Sequence, residues 1–168
     1  MPFCHLYVWF SGLTVLLSSC FFALQTTAVN SCVDEMKKWA ERNGYDKPRF
    51  CGINMALIST KAGLGTMLKK ILATAVEIDK EAPLSTLEKQ FKKTTVVLIL
   101  DKIDMLFSHQ NGDIFFKRLV HWAENREFRF SMIGISNCIN DAIAERIRKL
   151  GHVSESADFA FLIVQCWH

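Results

Sequence analysis

Residues 94–107 read TTVVLILDKIDMLF, and this stretch decides the fold. Five consecutive apolar residues, Val96 to Leu100, lead directly into Asp101. A short, continuously apolar run rich in β-branched residues predicts a strand buried on both faces, as in a parallel sheet. The carboxyl ends of such strands face the ligand crevice of an open sheet. Asp101 is therefore predicted at a crevice, where it would hold Mg²⁺ beside phosphates; the alternative is a solvated acidic turn after the strand.

The composition predicts one domain with a sizeable core. The chain has 168 residues, half of them apolar, and a formal net charge of +3. No block of Lys or Arg dominates a segment, so the charge permits a nucleic-acid partner without indicating one. The six cysteines are widely scattered and lack zinc-ligand spacing. They are interpreted as buried thiols in a reducing compartment, and a disulfide framework is the alternative.

The N-terminal segment is uncharged. No Asp, Glu, Lys or Arg precedes Asp34, and residues 13–24 read LTVLLSSCFFAL. This apolar run is compatible with a secretory signal peptide, although no Lys or Arg precedes it. The alternative is a buried strand at residues 6–10 that leads into a mostly buried helix. Because Ser, Thr and Gln interrupt the run, it is not expected to span a membrane.

Strand-like and helix-like segments alternate along the chain. Predicted strands cover residues 6–10, 49–55, 96–100, 128–135 and, near the C-terminus, 159–164. Predicted helices begin after Gly12 and run to residue 43, then cover residues 59–72, with Ser59 or Thr60 as the cap, 84–91, 114–122 and 142–150. Such alternation predicts an α/β fold with a parallel sheet and right-handed crossovers.

Asn137 stands just past the predicted strand at residues 128–135, in the sequence IGISN. An amide at the tip of a neighbouring strand can reach the same crevice as Asp101 and orient a water molecule against a phosphate. The alternative is that Asn137 caps the helix that follows, a position that asparagine favours.

Residues 96–141 resemble the Walker B to sensor 1 region of AAA+ ATPases, with LILDKIDML, LVHWAEN and MIGISN in the same order. Within that superfamily they are similar to the replication-initiator group, which includes the largest subunit of the origin recognition complex and the cell-division-cycle licensing ATPase. Residues 49–60, RFCGINMALIST, resemble the second strand and turn of that family. The resemblance covers residues 33–152. It implies a P-loop NTPase-like parallel sheet, the AAA+ base subdomain, incomplete and with the lid subdomain absent.

The resemblance assigns roles to the residues at the strand ends. Asp101 corresponds to the Walker B aspartate that supports Mg²⁺, and Asp104 to the second acidic position. Asn137 corresponds to sensor 1, which positions the attacking water. Lys102 stands where the family has a glutamate that polarises this water, and a charged lysine cannot accept its proton.

Three other positions are matched less closely. Arg146 or Arg148, in ERIRKLG, falls near an arginine-rich segment through which the family contacts the phosphate of a neighbouring subunit. The alternative is a basic helix with a solvated face. The third position is Gly12. The family has the phosphate-binding pattern G-x-x-x-x-G-K-[ST] after its first strand, and here Gly12 is the only glycine of that pattern after the first predicted strand.

The resemblance implies a division into an uncharged segment at residues 1–33, an AAA+-like core at residues 34–152 and a tail with a truncated strand at residues 153–168. It also implies ATP and Mg²⁺ as cofactors, other origin recognition and licensing subunits as partners, and a nuclear location. Contact with DNA is expected through family elements outside these 168 residues, and no membrane association is expected.

Three interpretations of the whole chain remain open at this point. The first is a fragment or mis-spliced form of an initiator ATPase that lacks the P-loop. The second is a non-hydrolysing paralogue that acts as a scaffold in a replication assembly. The third is a secreted protein whose Walker B likeness is fortuitous. In every case the chain is expected not to hydrolyse ATP appreciably.

Overall fold

A computed structural model describes residues 5–10, 13–18, 24–58, 63–136, 141–151 and 160–163. The strands are β1 (His5–Phe10), β2 (Leu13–Ser18), β3 (Arg49–Asn54), β4 (Val96–Asp101), β5 (Phe130–Ser136) and β6 (Ala160–Ile163). The helices are α1 (Leu24–Arg42), α2 (Leu64–Ala75), α3 (Leu84–Phe91), α4 (Gly112–Glu124) and α5 (Asp141–Gly151). Two short 3-10 helices, Met55–Leu57 and Ile103–Ser108, follow β3 and β4.

The predicted parallel sheet is confirmed, with four strands in the order β3-β4-β5-β6 and every neighbouring pair parallel. The strand predicted from residues 94–107 lies between β3 and β5, and Val96 to Leu100 are all buried. A strand that has neighbours on both sides and is buried on both faces is typically a continuous apolar run. This is why its first charged residue is Asp101.

The N-terminal prediction is wrong in two respects. Residues 6–10 were expected to start the parallel sheet, but β1 pairs with β2 in a separate antiparallel sheet. Residues 13–18 were expected to be helical, and they form β2. Only two residues separate Phe10 from Leu13, which suits a hairpin and leaves no length for a crossover to a parallel neighbour. The helix then begins at Leu24.

The remaining predicted elements are confirmed, with shifts at their boundaries. Helix α2 begins after Gly63, whose φ is +70°, so the cap position is not taken by Ser59 or Thr60, which lie outside the described residues. Glycine adopts this positive φ without a steric penalty. The helix predicted at residues 114–122 is longer in the structure, because α4 begins at Gly112 and ends at Glu124.

An aromatic cluster fills the core between α3, α4 and β5. The ring of Phe91 lies 5.2 Å from that of Trp122 and 5.0 Å from that of Phe130, measured between centroids. Trp122 donates its indole N–H to Oε1 of Glu88 at 3.0 Å, so its polar atom is satisfied inside the protein. The tryptophan of the LVHWAEN motif therefore has a packing role.

The two cysteines among the described residues are free thiols; Cys51 is buried, and Cys32 is only partly buried. Burial raises the pKa of the Cys51 thiol to about 11, so it stays protonated and unreactive near neutral pH. Across the part of the chain that the structure describes, no helix combines the length and the apolar character that a bilayer crossing requires.

Candidate functional site

Three strands end together at the carboxyl edge of the parallel sheet. Asn54, the last residue of β3, is in register with Asp101 at the end of β4. Asp101 is in turn in register with Ile135, one residue before the end of β5. The sequence predicted this meeting of the β4 and β5 ends. Asn137, which follows β5 directly, lies outside the described residues.

Asp101 is held by an amide on the neighbouring strand. The side-chain N–H of Asn54 donates to Oδ2 of Asp101 at 3.1 Å. The other end of the same amide, Oδ1, accepts the backbone N–H of Ala56 at 3.0 Å and caps the 3-10 helix Met55–Leu57. Because both ends of the amide are used, the orientation of Asn54 and of the carboxylate beside it is fixed.

Asp104 is held from the other side, by β5. Its Oδ1 accepts the hydroxyl of Ser136 at 2.6 Å. Ser136 is completely buried, while Asp104 is partly exposed on the 3-10 helix Ile103–Ser108. This bond fastens the 3-10 helix to the end of β5, so that both acidic residues lie at the carboxyl edge of the sheet.

Lys102, between the two aspartates, makes the sharp turn out of β4. Its φ and ψ are 56° and 51°, in the left-handed region, and its carbonyl accepts the backbone N–H of Met105 at 2.9 Å. A non-glycine residue in this region costs about 1–2 kcal/mol. The turn ends the strand at Asp101 and starts the 3-10 helix that carries Asp104.

Arg146 is engaged within its own chain. Its Nε lies 2.8 Å from Oδ1 of Asp113, and its Nη1 donates to the carbonyl of Phe107 at 3.2 Å. The guanidinium carbon is also 5.3 Å from the centre of the Phe107 ring. The Asp113 oxygen is buried, and its contact with Arg146 is ionic without the alignment of a hydrogen bond. These contacts tie α5 to the start of α4.

The predicted site residues are therefore only partly brought together. Asp101, Lys102 and Asp104 lie at one edge of the sheet, and Arg146 is occupied by an intramolecular ion pair. Gly12 and Asn137 lie outside the described residues, and the structure describes only the backbone of Arg148, within α5. Sequence reasoning missed Asn54 and Ser136, although each is the last residue of a strand neighbouring β4.

A magnesium site at this edge would rest on a single carboxylate, that of Asp101. Mg²⁺ commonly keeps several waters and takes one or two carboxylates together with phosphate oxygens of the substrate. Asp101 uses Oδ2 for Asn54, and its Oδ1 accepts no hydrogen bond from the described residues. Among those residues, no cluster of three or more His, Cys, Asp or Glu side chains is suited to a metal ion by itself.

The contribution of the hydrogen bond between Ser136 and Asp104 to the stability of the protein can be tested. We expect Ser136→Ala to lower the free energy of unfolding by about 1–3 kcal/mol, because it removes a buried donor from a carboxylate. Urea denaturation followed by circular dichroism measures the loss. Asp104→Asn is the matched control, since its amide oxygen still accepts the serine hydroxyl. A Ser136→Ala variant within about 0.5 kcal/mol of the parent would contradict a structural role for this bond.

No protein-family model matches this chain, and a search of the curated proteins finds no match either. The fold and the site together define an α/β protein with a parallel sheet. Its buried strand β4 ends at Asp101, Lys102 turns the chain with a left-handed backbone conformation, and Asp104 follows on the 3-10 helix. Hydrogen bonds from Asn54 and Ser136 hold the two carboxylates in place.

Proposed function

We propose that this chain is a replication-initiator AAA+-like module that binds Mg²⁺·ATP weakly and does not hydrolyse it. The observation that carries the proposal is the carboxylate of Asp101 at the carboxyl end of the buried central strand, oriented by Asn54. In open parallel sheets this edge is where nucleotides bind. Bound Mg²⁺ would neutralise charge on the phosphates, and Asp101 is the residue that would hold it, directly or through water.

Lys102 is the residue that argues against hydrolysis. It occupies the position at which the resembled family has a glutamate, and a charged lysine cannot take a proton from water. As a point charge it is still able to pair with a phosphate oxygen, which is compatible with binding. The pattern G-x-x-x-x-G-K-[ST], whose backbone N–H groups cradle phosphates, does not occur in the 168 residues, which is why the proposed affinity is weak.

The proposed biological role is that of a non-hydrolysing scaffold in an assembly that recognises replication origins in the nucleus. Its partners would be other origin recognition and licensing subunits. Support comes from the ordered likeness of residues 96–141 to the Walker B to sensor 1 region, and from β4 and β5 being neighbours in a parallel sheet. The intramolecular contacts of Arg146 favour a structural role for this arginine over a contact with a neighbouring subunit.

Calorimetric titration with ATP, with and without Mg²⁺, tests the site directly. We expect Asp101→Asn to remove the dependence of affinity on Mg²⁺, because it removes the carboxylate that would hold the ion. We expect Lys102→Glu to weaken the binding of metal-free ATP about tenfold, since it replaces an attractive charge by a repulsive one. Asp79→Asn, which removes an exposed carboxylate from the loop after α2, is the matched control.

Two results would refute the nucleotide part of the proposal. One is robust ATP turnover by the unmodified chain, and the other is an affinity for Mg²⁺·ATP that Asp101→Asn leaves unchanged. The scaffold role is tested separately, by co-expressing the chain with origin recognition subunits of its own organism. Stoichiometric co-purification supports that role, and complete separation of the chain from the subunits counts against it.

A further inference from the structure

A cleft of about 730 Å³ opens at the amino edge of the parallel sheet, where β3 and β4 begin. Arg49, the first residue of β3, and Thr95, just before β4, both line it. Each of these strands has six residues, which places the cleft about 20 Å from the acidic carboxyl edge. It is therefore separate from the candidate nucleotide site.

Positive charge predominates along this cleft. Four cations face two carboxylates among its lining residues: Lys37, Lys47, Arg49 and Lys93 against Asp46 and Glu77. Lys37 lies 3.6 Å from Asp34, and Lys47 lies 3.0 Å from Glu41. Lys93 makes no ion pair with any of the residues that the structure describes. The cleft therefore offers a lysine whose charge is not compensated.

Arg49 forms an ion pair with Glu77, a residue whose backbone has a positive φ that residues other than glycine rarely adopt. Its Nη1 lies 2.9 Å from Oε1 of Glu77. Glu77 has a φ of 59° and stands in the turn that closes α2, where the N–H of Ile78 donates to the carbonyl of Ala73 at 3.0 Å. Helices that end in this way usually have glycine at the left-handed position. Here a glutamate holds that position, with its carboxylate on the guanidinium of Arg49.

We infer that the amino-edge cleft is a binding site for a phosphate-bearing anion, with Lys93 and Arg49 as its cationic ligands. The guanidinium is a planar donor that matches phosphate geometry, and lysine adds a point charge. The volume lies in the range of small-ligand pockets. The carboxylate of Glu77 forms an ion pair with the guanidinium of Arg49. A bound anion would need the same guanidinium, so Glu77 and the anion compete for Arg49.

Two sources of phosphate share this chemistry, a free polyphosphate anion and the backbone of a single-stranded nucleic acid. The full 168-residue chain is titrated with inorganic pyrophosphate and, separately, with a single-stranded oligonucleotide, at about 0.1 M salt. Pyrophosphate binding alone identifies a free anion as the source. Oligonucleotide binding that weakens steeply with added salt identifies a phosphodiester backbone.

Matched variants decide whether binding occurs in this cleft. We expect Lys93→Ala and Arg49→Gln each to weaken binding about tenfold, the size of a lost charge-assisted hydrogen bond. Lys117→Ala removes the same charge from an exposed position on α4 that does not line the cleft, and we expect it to leave pyrophosphate binding unchanged. Lys93 is exposed and forms no ion pair with the described residues, so Lys93→Ala remains informative if Arg49→Gln disturbs folding.

Glu77→Gln is expected to change the affinity in the opposite direction to Lys93→Ala and Arg49→Gln. It keeps the size of the side chain and removes the competing charge, so we expect it to tighten binding several-fold. The inference is overturned if neither probe binds, if Lys117→Ala weakens pyrophosphate binding as much as Lys93→Ala, or if Glu77→Gln weakens it. It does not depend on ATP binding at the carboxyl edge, because Lys93 and Arg49 lie at the opposite edge of the sheet and their variants leave Asp101 and Lys102 intact.

Discussion

Phe91→Ala is expected to lower the free energy of unfolding by about 3–5 kcal/mol. Phe91 is completely buried at the end of α3, against the rings of Trp122 and Phe130. These two rings are themselves held by α4 and β5, so the space left by the missing ring closes only in part. Chemical denaturation monitored by tryptophan fluorescence and by circular dichroism measures the loss and checks two-state behaviour.

Phe128→Ala is the matched control for Phe91→Ala. The ring of Phe128 lies 6.5 Å from that of Phe91, at the partly exposed rim of the same cluster. Because water can enter the space left at the rim, we expect a clearly smaller loss of stability for this variant. Equal losses for the two variants would show that Phe91 is not the centre of the aromatic core.

Gly112→Ala is expected to destabilise the protein by about 3 kcal/mol. A Cβ atom on Gly112 would stand 2.0 Å from the carbonyl oxygen of Leu106, a backbone atom that no side-chain rotation can remove. Relief requires moving either the start of α4 or the 3-10 helix Ile103–Ser108. That 3-10 helix carries Asp104, so the substitution is also expected to disturb the acidic edge of the sheet.

Gly52→Ala provides the comparison for Gly112→Ala. Gly52 lies within β3, and a Cβ atom there would meet nothing within 4 Å. Alanine lowers the conformational entropy of the unfolded chain relative to glycine, so we expect an unchanged or slightly higher stability. Thermal denaturation of both variants in one buffer makes the comparison. A similar loss at both positions would contradict the close approach of α4 to Leu106.

The candidate site was predictable from the sequence as far as its charged residues are concerned. Asp101 follows a continuous apolar run, and such a run is buried up to the point where the strand ends. The partners of the two aspartates were not predictable in the same way. Asn54 is 47 residues from Asp101, and Ser136 is 32 residues from Asp104. Both contacts depend on the register of neighbouring strands, and a slip of one residue would turn those side chains to the other face.

The role of Arg146 illustrates a second limit of the sequence. A basic helix such as ERIRKLG suits either a solvated face or a contact with another subunit. The structure places α5 beside the start of α4, where Asp113 and the carbonyl of Phe107 engage the guanidinium. Both partners come from a segment more than thirty residues earlier in the chain, so no local pattern around Arg146 identifies them.

The two ends of the parallel sheet differ in charge, and this difference became visible only in the fold. The carboxyl edge carries Asp101 and Asp104, whereas the amino edge carries Arg49 and Lys93. In the sequence the cations of the amino edge are spread over three separate segments and do not form a basic block. Parallel pairing of β3 with β4 is what brings Arg49 and Lys93 to the same edge.

The sequence by itself determined most of the elements from α1 onward, because apolar periodicity and continuous apolar runs are local properties of the chain. Only the tertiary structure decided that β1 and β2 form a separate hairpin, that Asn54 and Ser136 hold the acidic pair, and that Glu77 lies on Arg49. These features depend on pairing partners and register between distant segments. Many arrangements share the same local patterns, and packing of the common core selects one of them.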